Sequence, residues 1–293
     1  MSTLDVREDD VASLEAGLDA LDTPTSRRPG LGARLSRSVL PPVVAVLLLL
    51  AVWAVVAALH VKPDYVLPAP AEVWSTFQQY WDDGSVQAAV WNSLRRAAVG
   101  FALSLVVGTA LGLLMSQSRL VRTAIGPLVT GLQSLPSVAW VPAAIIWFGL
   151  TDAAIYMVVL LGAVPSIANG LLAGVAQVPP IYTRVGRVLG AGRWAQIRYV
   201  VLPAAMPGYF SGLRQGWAFA WRSLMAAELI TLSPGLGVSL GQLLDTGREL
   251  SDMSLVIAAI LLILVVGVGI ELLVFSPLER RLLHNRGLDL DSR

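Results

Sequence analysis

Long apolar stretches alternate with short polar or arginine-bearing segments along most of the 293-residue chain. A helix needs about 20 apolar residues to cross the hydrocarbon core of a bilayer, and six of these stretches are long enough. They cover residues 39–61, 93–116, 125–149, 153–175, 208–231 and 253–276. The pattern therefore predicts an all-α, polytopic membrane protein with six transmembrane helices.

The segments around these stretches indicate the order of domains. Residues 1–36 combine many Asp and Glu side chains with arginine, proline, serine and glycine, which is typical of a disordered segment. The predicted organisation is a disordered cytoplasmic tail at 1–36, a first transmembrane helix at 37–61, an extracytoplasmic segment at 62–92, a core of five transmembrane helices at 93–280 and a cytoplasmic tail at 281–293. Trp74, Trp81 and Trp91 predict that the segment 62–92 is a partly amphipathic lid on the outer leaflet.

Arginine placement indicates the orientation, because loops that stay in the cytoplasm retain Lys and Arg. With the amino terminus inside, most of the 21 basic residues fall on the cytoplasmic side. The exceptions are Lys62, Arg95, Arg96 and Arg248, which lie outside, and Arg214 and Arg222, which lie within the fifth apolar stretch. The sequence thus predicts a multi-pass protein with both termini in the cytoplasm.

Composition narrows the chemistry of the chain. With 55% hydrophobic and 14% charged residues, it is too apolar for a soluble domain of this length, and its formal net charge of +1 gives no basic field for nucleic acid. It has no cysteine, its two histidines lie at opposite ends, and its single lysine, Lys62, follows no glycine-rich loop. We therefore expect no metal site, no bound cofactor, no phosphate-binding loop and no catalytic activity of its own.

One segment between two apolar stretches, "RVGRVLGAGRWAQIRYVVLPAAMP" at 184–207, is neither a short turn nor a disordered loop. Pro179 and Pro180 are suited to the first turn of a helix, and Val185, Val188 and Leu189 then recur on one face. Glycines 190 and 192 bend or end this helix. The pattern fits a short helix that a groove of another protein accepts, or a helix that rests on lipid headgroups.

This segment resembles the cytoplasmic "EAA" loop of permease subunits of bacterial ABC importers. The family pattern is Glu-Ala-Ala, three residues, glycine, nine residues, an aliphatic residue, one residue and Leu-Pro. The chain matches it at Gly190, Val200, Leu202 and Pro203, whereas Arg184-Val185-Gly186 stands where the family has Glu-Ala-Ala.

The resemblance extends over most of residues 67–280. It is carried by "LPAPAEVW" at 67–74, "SLRRAAVGFALSLVVGTALGLLM" at 93–115, "SLPSVAWVPAAIIWFGL" at 134–150, "LPAAMPGYFSGLRQGWAFAWRSLMAAELI" at 202–230 and "GLG" at 235–237. These segments look like the branch that imports sulfonates, taurine and nitrate. The resemblance implies the type I ABC importer permease fold, a bacterial inner-membrane location, and import of an alkanesulfonate or taurine. Nitrate, bicarbonate or a pyrimidine vitamin precursor fits nearly as well.

The resemblance also implies partners. They are two ATPase subunits that hold ATP and Mg, a second and identical permease copy, an extracytoplasmic solute-binding protein and membrane lipid. The cytoplasmic coupling loop would be 176–206. Its ATPase-coupling residues would be Arg184, Val185, Gly186, Arg187, Val188, Leu189, Gly190, Val200, Leu202 and Pro203.

Polar residues within the apolar stretches are candidates for the translocation pathway, because an ionisable group in a spanning helix usually faces protein or water. Arg214, Trp217, Trp221 and Glu228 share one face of the fifth stretch, and Gln215 and Arg222 form a second patch. The pathway candidates are Arg222, Glu228, Trp217, Trp221 and Gln215, joined by Gln133, Ser137 and Trp140 where Pro136 and Pro142 bend the third stretch. The alternative for the charged residues is interhelical pairing or extension to the membrane interfaces, and for the third stretch it is ordinary packing.

Three small-xxx-small pairs, at Gly108/Gly112, Gly170/Gly174 and Gly208/Gly212, predict close approach of helix backbones. They fit packing within the chain or a contact between two subunits.

Two other classes of protein share parts of the pattern. "GVSLG" at 237–241 matches the G-x-S-x-G motif of serine hydrolases, with Ser239 as nucleophile, but no strand or histidine base accompanies it. A secondary transporter driven by an ion gradient would show repeated halves and acids near the membrane midplane. No convincing repeat is present, and Glu228 lies towards the outer end of its stretch.

Overall fold

The computed structural model describes residues 31–284, and within this range every regular element is a helix. In order they are α1 (Leu31–Ala58), α2 (Pro70–Asp82), α3 (Ser85–Gln117), α4 (Arg119–Ser134), a 3-10 helix (Ser137–Trp140), α5 (Val141–Phe148), α6 (Asp152–Ala176), α7 (Pro180–Val188), α8 (Arg193–Gln196), a π-helical turn (Ile197–Val201), α9 (Leu202–Ile230), a 3-10 helix (Pro234–Leu236), α10 (Leu240–Glu249), α11 (Met253–Ile270), a π-helical turn (Glu271–Phe275) and α12 (Ser276–His284). The all-α fold is thus confirmed.

The chain divides into two compact units, residues 1–59 and 60–293. The described part of the first unit is α1, which contains the predicted first transmembrane helix. Its stretch Leu40–Ala58 is long and apolar enough to cross a membrane. The predicted tails at 1–36 and 281–293 lie largely outside the described residues.

In the second unit, three more helical stretches are long and apolar enough to cross a membrane: Ser85–Gln117, Asp152–Ala176 and Met253–His284. The pair Arg119–Ser134 and Ser137–Phe148 meets the same test only as one broken span. On length and composition, four of the six predicted spans are found, or five if the broken pair counts as one span. The predicted span at 208–231 does not meet this test. It corresponds to α9, a helix of 29 residues that carries Arg214, Arg222 and Glu228.

The third predicted span is broken much more sharply than a proline bend requires. The axes of its two halves differ by 101°. The break falls at Leu135 and Pro136, which have extended backbone, while Pro142 lies harmlessly in the first turn of α5. A right-angled pair of this kind is a broken span or a re-entrant segment rather than one tilted helix.

The centre of the second unit is the contact between α6 and α9, where glycines on both helices bring the backbones together. A Cβ on Gly212 would lie 2.5 Å from the Gly170 Cα, and one on Gly208 would lie 2.6 Å from the Gly174 Cα. Such distances are shorter than any real carbon contact, so only glycine fits. Two of the predicted small-residue pairs therefore pack against each other inside the chain.

The third pair, Gly108 and Gly112 on α3, also packs within the chain. A Cβ on Gly108 would lie 2.8 Å from the Ile167 Cβ, and one on Gly112 would lie 2.9 Å from the Ala168 carbonyl oxygen. Helix α6 is thus enclosed between α3 and α9, and its Ile167 and Leu171 side chains are fully buried. This three-helix core positions the functional segments at its ends and along α9.

Candidate functional site

Helix α7 and the turn that follows it form the segment predicted to couple to an ATPase. Pro180 occupies the first turn of α7, where its missing N–H costs no hydrogen bond. The helix ends in a Schellman motif, in which Gly190 N donates to Arg187 O at 3.0 Å and Ala191 N donates to Gly186 O at 2.9 Å. Gly190 has φ +79°, which a glycine adopts at little cost. The predicted end of the helix at Gly190 is confirmed.

The packing of this segment explains the spacing between Gly186 and Val200. Gly186 is the buried residue of α7, and a Cβ on it would meet a Val200 methyl group at 3.5 Å and Gln196 at 3.6 Å. The two positions are thus neighbours, since the turn at Gly190 folds α7 back on the π-helical turn that contains Val200. Leu202 begins α9, with Pro203 in its first turn. The predicted coupling residues form one helix-turn-helix unit.

The outer face of this unit is apolar and uncovered. Val188 is 87% exposed, and Leu189 and Trp194 are each 78% exposed. Arg184, Arg187, Arg193 and Arg198 are exposed beside them, and the sequence holds no Asp or Glu between Asp152 and Glu228. The surface therefore combines a hydrophobic ridge with four positive charges.

The predicted pathway residues separate into a buried group and an exposed group. Trp217, Trp221 and Glu228 are buried in the helical core. The Trp217 ring meets Phe101 edge-on at 5.3 Å and lies 6.3 Å from Trp221. These side chains pack inside the chain, and their role on the pathway stays a prediction.

Glu228 is held by a network whose members the sequence did not identify. Arg96 on α3, 1% exposed, donates from Nη1 to the Glu228 carboxylate at 3.2 Å and from Nε to Asp152 at 2.7 Å. The side chain of Arg96 is enclosed by α3, α6 and α9, and its predicted place on the outer side of the membrane stays a prediction. Arg95 next to it is exposed and lies 3.8 Å from Asp152.

The same network fixes the loop between α9 and α10. Arg96 Nη2 donates to Leu236 O at 2.6 Å, and Ser93 Oγ donates to Glu228 at 2.7 Å while accepting from Leu240 N at 3.0 Å. Gly241 N donates to Glu228 at 3.3 Å. Every charge of this buried cluster therefore has a partner, and the cluster ties α3, α6, α9 and α10 together at the end opposite α7. We call it the Arg96 cluster.

Arg214 on α9 also meets two acids. It pairs with Glu271 in the π-helical turn after α11 and with Glu279 of α12, the latter at 2.9 Å. The interhelical alternative for the charged residues is thus found for Glu228 and for Arg214. Of the four residues predicted to share one face of α9, Trp217, Trp221 and Glu228 lie in the core. The fourth, Arg214, forms these ion pairs.

The exposed group of predicted pathway residues is on α9, with partly buried members next to it. Arg222 and Gln215 are exposed on α9. Ser137, in the 3-10 helix after the break, accepts a hydrogen bond from Ser223 Oγ at 2.7 Å. Gln133 accepts from Asn169 at 2.9 Å and donates to Ser166 at 3.1 Å.

Trp140 ends the 3-10 helix and is partly buried. Gln133, Ser137 and Trp140 thus stand along the α4–α5 break beside α6 and α9. Their role in transport stays a prediction.

Ser239, the serine of the G-x-S-x-G match, is the N-cap of α10. Its Oγ accepts from Gln242 N at 3.4 Å, and the residue is 1% exposed. Its loop joins two helices rather than a strand and a helix. The structure gives this serine a capping role and no feature of a nucleophile.

Among residues 31–284, no group of three His, Cys, Asp or Glu side chains has the arrangement of a metal site.

The family comparison decides what this helical unit is. Residues 104–281, which include the coupling segment, α9 and the α4–α5 break, match the model of the binding-protein-dependent transport system inner membrane component. The chain belongs to this family. As a binding-protein-dependent inner membrane component, it is a permease subunit of an ABC importer and a multi-pass membrane protein.

The chain is similar to several permease proteins over most of its length. The taurine transport system permease protein TauC of Escherichia coli (strain K12) is 30% identical over 85% of this chain and 90% of its own length. The SsuC protein of Bacillus subtilis (strain 168), named for transport of aliphatic sulfonates, is 32% identical over 81% of this chain and 84% of its own. The nitrate import permease protein NrtB of a Synechocystis species (strain PCC 6803) is 30% identical over 78% and 83%. The predicted branch is thereby confirmed.

Solved structures support the permease fold. A chain of the methionine ABC transporter MetNI, in an inward-facing conformation, superposes with a TM-score of 0.57 over 68% of this chain and 96% of that chain. The two sequences are 19% identical, so the likeness concerns the fold alone.

Proposed function

We propose that this permease subunit forms part of the membrane path for a small anion, of which an alkanesulfonate or taurine is the first candidate. Nitrate and bicarbonate are the alternatives. Relatives named for taurine, aliphatic sulfonate, nitrate and bicarbonate transport support an anionic solute, because all of these compounds carry a negatively charged oxygen-bearing group. An external binding protein would deliver the solute, and both termini of this chain would lie in the cytoplasm.

In the proposed assembly, two copies of this permease are driven by two ATPase subunits that bind ATP and Mg. ATP hydrolysis on the partners would rock the helices between inward-open and outward-open states. The observation that carries this proposal is the exposed surface of α7 and α8. Apolar side chains as open to water as Val188 and Leu189 are costly unless a partner covers them.

The four arginines of this surface suit a groove that is apolar at its centre and acidic at its rim. Where the ABC permease pattern has a glutamate, this chain has the exposed Arg184. A cationic rim favours association with a surface of opposite charge and raises the rate of encounter. The proposed ATPase partner therefore presents carboxylates around the apolar pocket that receives α7.

A pair of matched leucines tests this docking. Leu189 and Leu250 are both exposed leucines at the carboxyl end of a short helix, α7 and α10 respectively. Leu189→Asp should reduce the amount of ATPase that co-purifies with the permease by about tenfold or more, because a carboxylate would be buried in an apolar groove. Leu250→Asp should leave that amount unchanged.

The measurement is the ratio of ATPase to permease after affinity purification from membranes that contain both, with ATP hydrolysis recorded on the same sample. Full retention of the ATPase by Leu189→Asp would show that α7 rests elsewhere, for example on lipid headgroups.

A further inference from the structure

Helix α9 exposes a narrow polar face in the part of the chain that the structure describes. Ser211, Gln215, Ala218 and Arg222 are all exposed and follow one another at intervals of four, three and four residues. At 100° per residue they lie within an arc of about 60°. The side of the helix next to this strip packs against α6 through Gly208 and Gly212. We call this strip the α9 polar face.

Arg222 differs from Arg96 and Arg214, which also lie in long helices. Arg96 and Arg214 each contact two carboxylates. Within residues 31–284, the structure places no Asp or Glu within ion-pair distance of Arg222. Its Nε donates to Ala218 O at 3.1 Å, and its guanidinium carbon lies 4.8 Å above the Phe219 ring.

These two contacts leave the charge of Arg222 uncompensated. A backbone carbonyl and an aromatic face are weak partners for a cation compared with a carboxylate. They hold the side chain along its own helix, where it stays exposed. A guanidinium at membrane depth is costly unless it meets water or an anion.

The position of Arg222 favours a solute anion as its partner rather than a fixed carboxylate of the chain. It lies eight residues before the end of α9 at Ile230, about 12 Å along the helix axis. The adjacent Ser223 hydroxyl donates to Ser137 at the α4–α5 break, which brings a second polar segment next to the strip. The partly buried Ser223–Ser137 pair is thus a second polar feature next to this part of α9.

We infer that Arg222 forms a binding site for a single oxyanion group, a sulfonate or a comparable small anion, on the α9 polar face. The planar guanidinium presents two parallel N–H groups that match two oxygens of such a group. Gln215, two turns earlier, is too distant to touch the same small anion and forms the next polar position along the strip. The inference rests on the proposed function, in which this strip lines the solute path.

The absence of cysteine from the chain permits a direct test on the full-length protein in its membrane. Ala218→Cys places one thiol a single helical turn from Arg222 on the same face. Its reaction rate is measured with two methanethiosulfonate reagents, one carrying an ethylsulfonate and one an ethyltrimethylammonium group. The quantity compared is the ratio of the rate with the sulfonate reagent to the rate with the trimethylammonium reagent. We expect this ratio to be high while Arg222 is present. Adding Arg222→Gln should reduce this ratio by roughly five- to tenfold, and Arg222→Lys should largely preserve it.

Ser211→Cys is the matched control on the same face. It lies about 16 Å from Arg222 along the helix, beyond the range at which one charge acts through water at physiological salt. Its ratio should change less than twofold when Arg222 becomes glutamine. Ethanesulfonate or nitrate added in excess should slow the reaction of the Ala218→Cys variant with the sulfonate reagent while Arg222 is present.

Several outcomes would overturn the inference. A ratio that Arg222→Gln does not change would show that the charge does not attract anions on this face. A thiol at 218 that neither reagent reaches would show that the face is closed to water. A loss of permease dimers in Arg222→Gln, with an unchanged ratio, would assign Arg222 to a contact between copies. Because no ATPase enters this measurement, failure of ATP-driven uptake would count against the proposed function alone.

Discussion

Arg96 and Arg222 lie in two long helices of the same bundle, and the chain treats their charges in opposite ways. Arg96 is enclosed by α3, α6 and α9, where two carboxylates, a backbone carbonyl and a serine complete its surroundings. Arg222 is exposed on α9 and meets one carbonyl of its own helix and one ring. The chain compensates the first charge itself and leaves the second for a group that comes from outside.

Two arginines of the same bundle thus have different roles: Arg96 stabilises the fold, and Arg222 is available to a ligand. A buried charge with a full set of partners fixes the geometry of several helices, and its removal leaves those partners unpaired. An exposed charge without a carboxylate contributes little to folding and is available to a ligand. The same substitution at the two positions should therefore have very different effects.

The largest effect is expected from Arg96→Gln. It would leave the Glu228 carboxylate buried without its cation, at a cost of about 3–5 kcal/mol in the free energy of unfolding. Thermal unfolding of the purified protein in detergent measures this cost. Arg95→Gln is the control, since that side chain is exposed and its 3.8 Å pair with Asp152 is worth about 1 kcal/mol or less.

A double variant sharpens the same point. Glu228→Gln in the Arg96→Gln background removes the unpaired carboxylate, so it should recover part of the lost stability. Additive losses from the two substitutions would indicate that the residues do not act as a pair.

The next largest effect concerns the contact between α6 and α9. Gly212→Ala would place a methyl group 2.5 Å from the Gly170 Cα, where a backbone cannot yield without separating the helices. We expect a loss of about 1–3 kcal/mol in unfolding free energy, seen as a lower melting temperature. Gly126→Ala in α4 is the control, because a Cβ at this position has no atom within 4 Å. It should not lower the melting temperature. Equal melting temperatures for both variants would contradict the close contact.

Gly190→Val is expected to act locally. At φ +79° a β-branched residue is strained by about 1–3 kcal/mol, although no atom lies within 4 Å of its added Cβ. The end of α7 should shift, so that ATP hydrolysis continues without matching uptake. Both activities are measured in proteoliposomes that contain the ATPase and the binding protein. Gly192→Val is the control, because Gly192 has φ −66° and extended backbone that valine also adopts. Unimpaired uptake by Gly190→Val would remove this turn from the coupling.

The smallest effect on stability is expected from Arg222→Gln. With no carboxylate partner among residues 31–284, its loss should change the unfolding free energy by less than about 0.5 kcal/mol. The same thermal measurement that is used for Arg96→Gln provides the value. A loss as large as that of Arg96→Gln would mean that Arg222 has a fixed counterion, and the contrast between the two arginines would disappear.

Features that depend on neighbours in sequence could be predicted well. The end of α7 at Gly190 and a close approach of helix backbones at the glycine pairs follow from local spacing, because both require glycine at defined positions. Spacing alone leaves open whether the pairs meet within the chain or between subunits. The match from Gly190 to Pro203 depends on the resemblance to the ABC permease loop. The structure confirms where α7 ends, and it shows that these glycines pack within the chain.

The partners of the charged residues could not be predicted, because they come from distant parts of the chain. Arg96 and Glu228 are separated by 132 residues. Helical periodicity assigned Trp217, Trp221 and Glu228 to one face but could not say whether that face meets protein or solute. The 101° break of the third span is likewise invisible to hydropathy, since both halves are apolar and a proline permits a small bend as readily as a right angle.

The segment from Arg193 to Ile230 is helical throughout, since α8 passes through a π-helical turn directly into α9 without an intervening loop. It extends for about 55 Å at 1.5 Å per residue. One end lies beside the ridge of α7, and the other carries Glu228 in the Arg96 cluster. Because no loop interrupts this stretch, continuous helical backbone connects α8 to the Arg96 cluster.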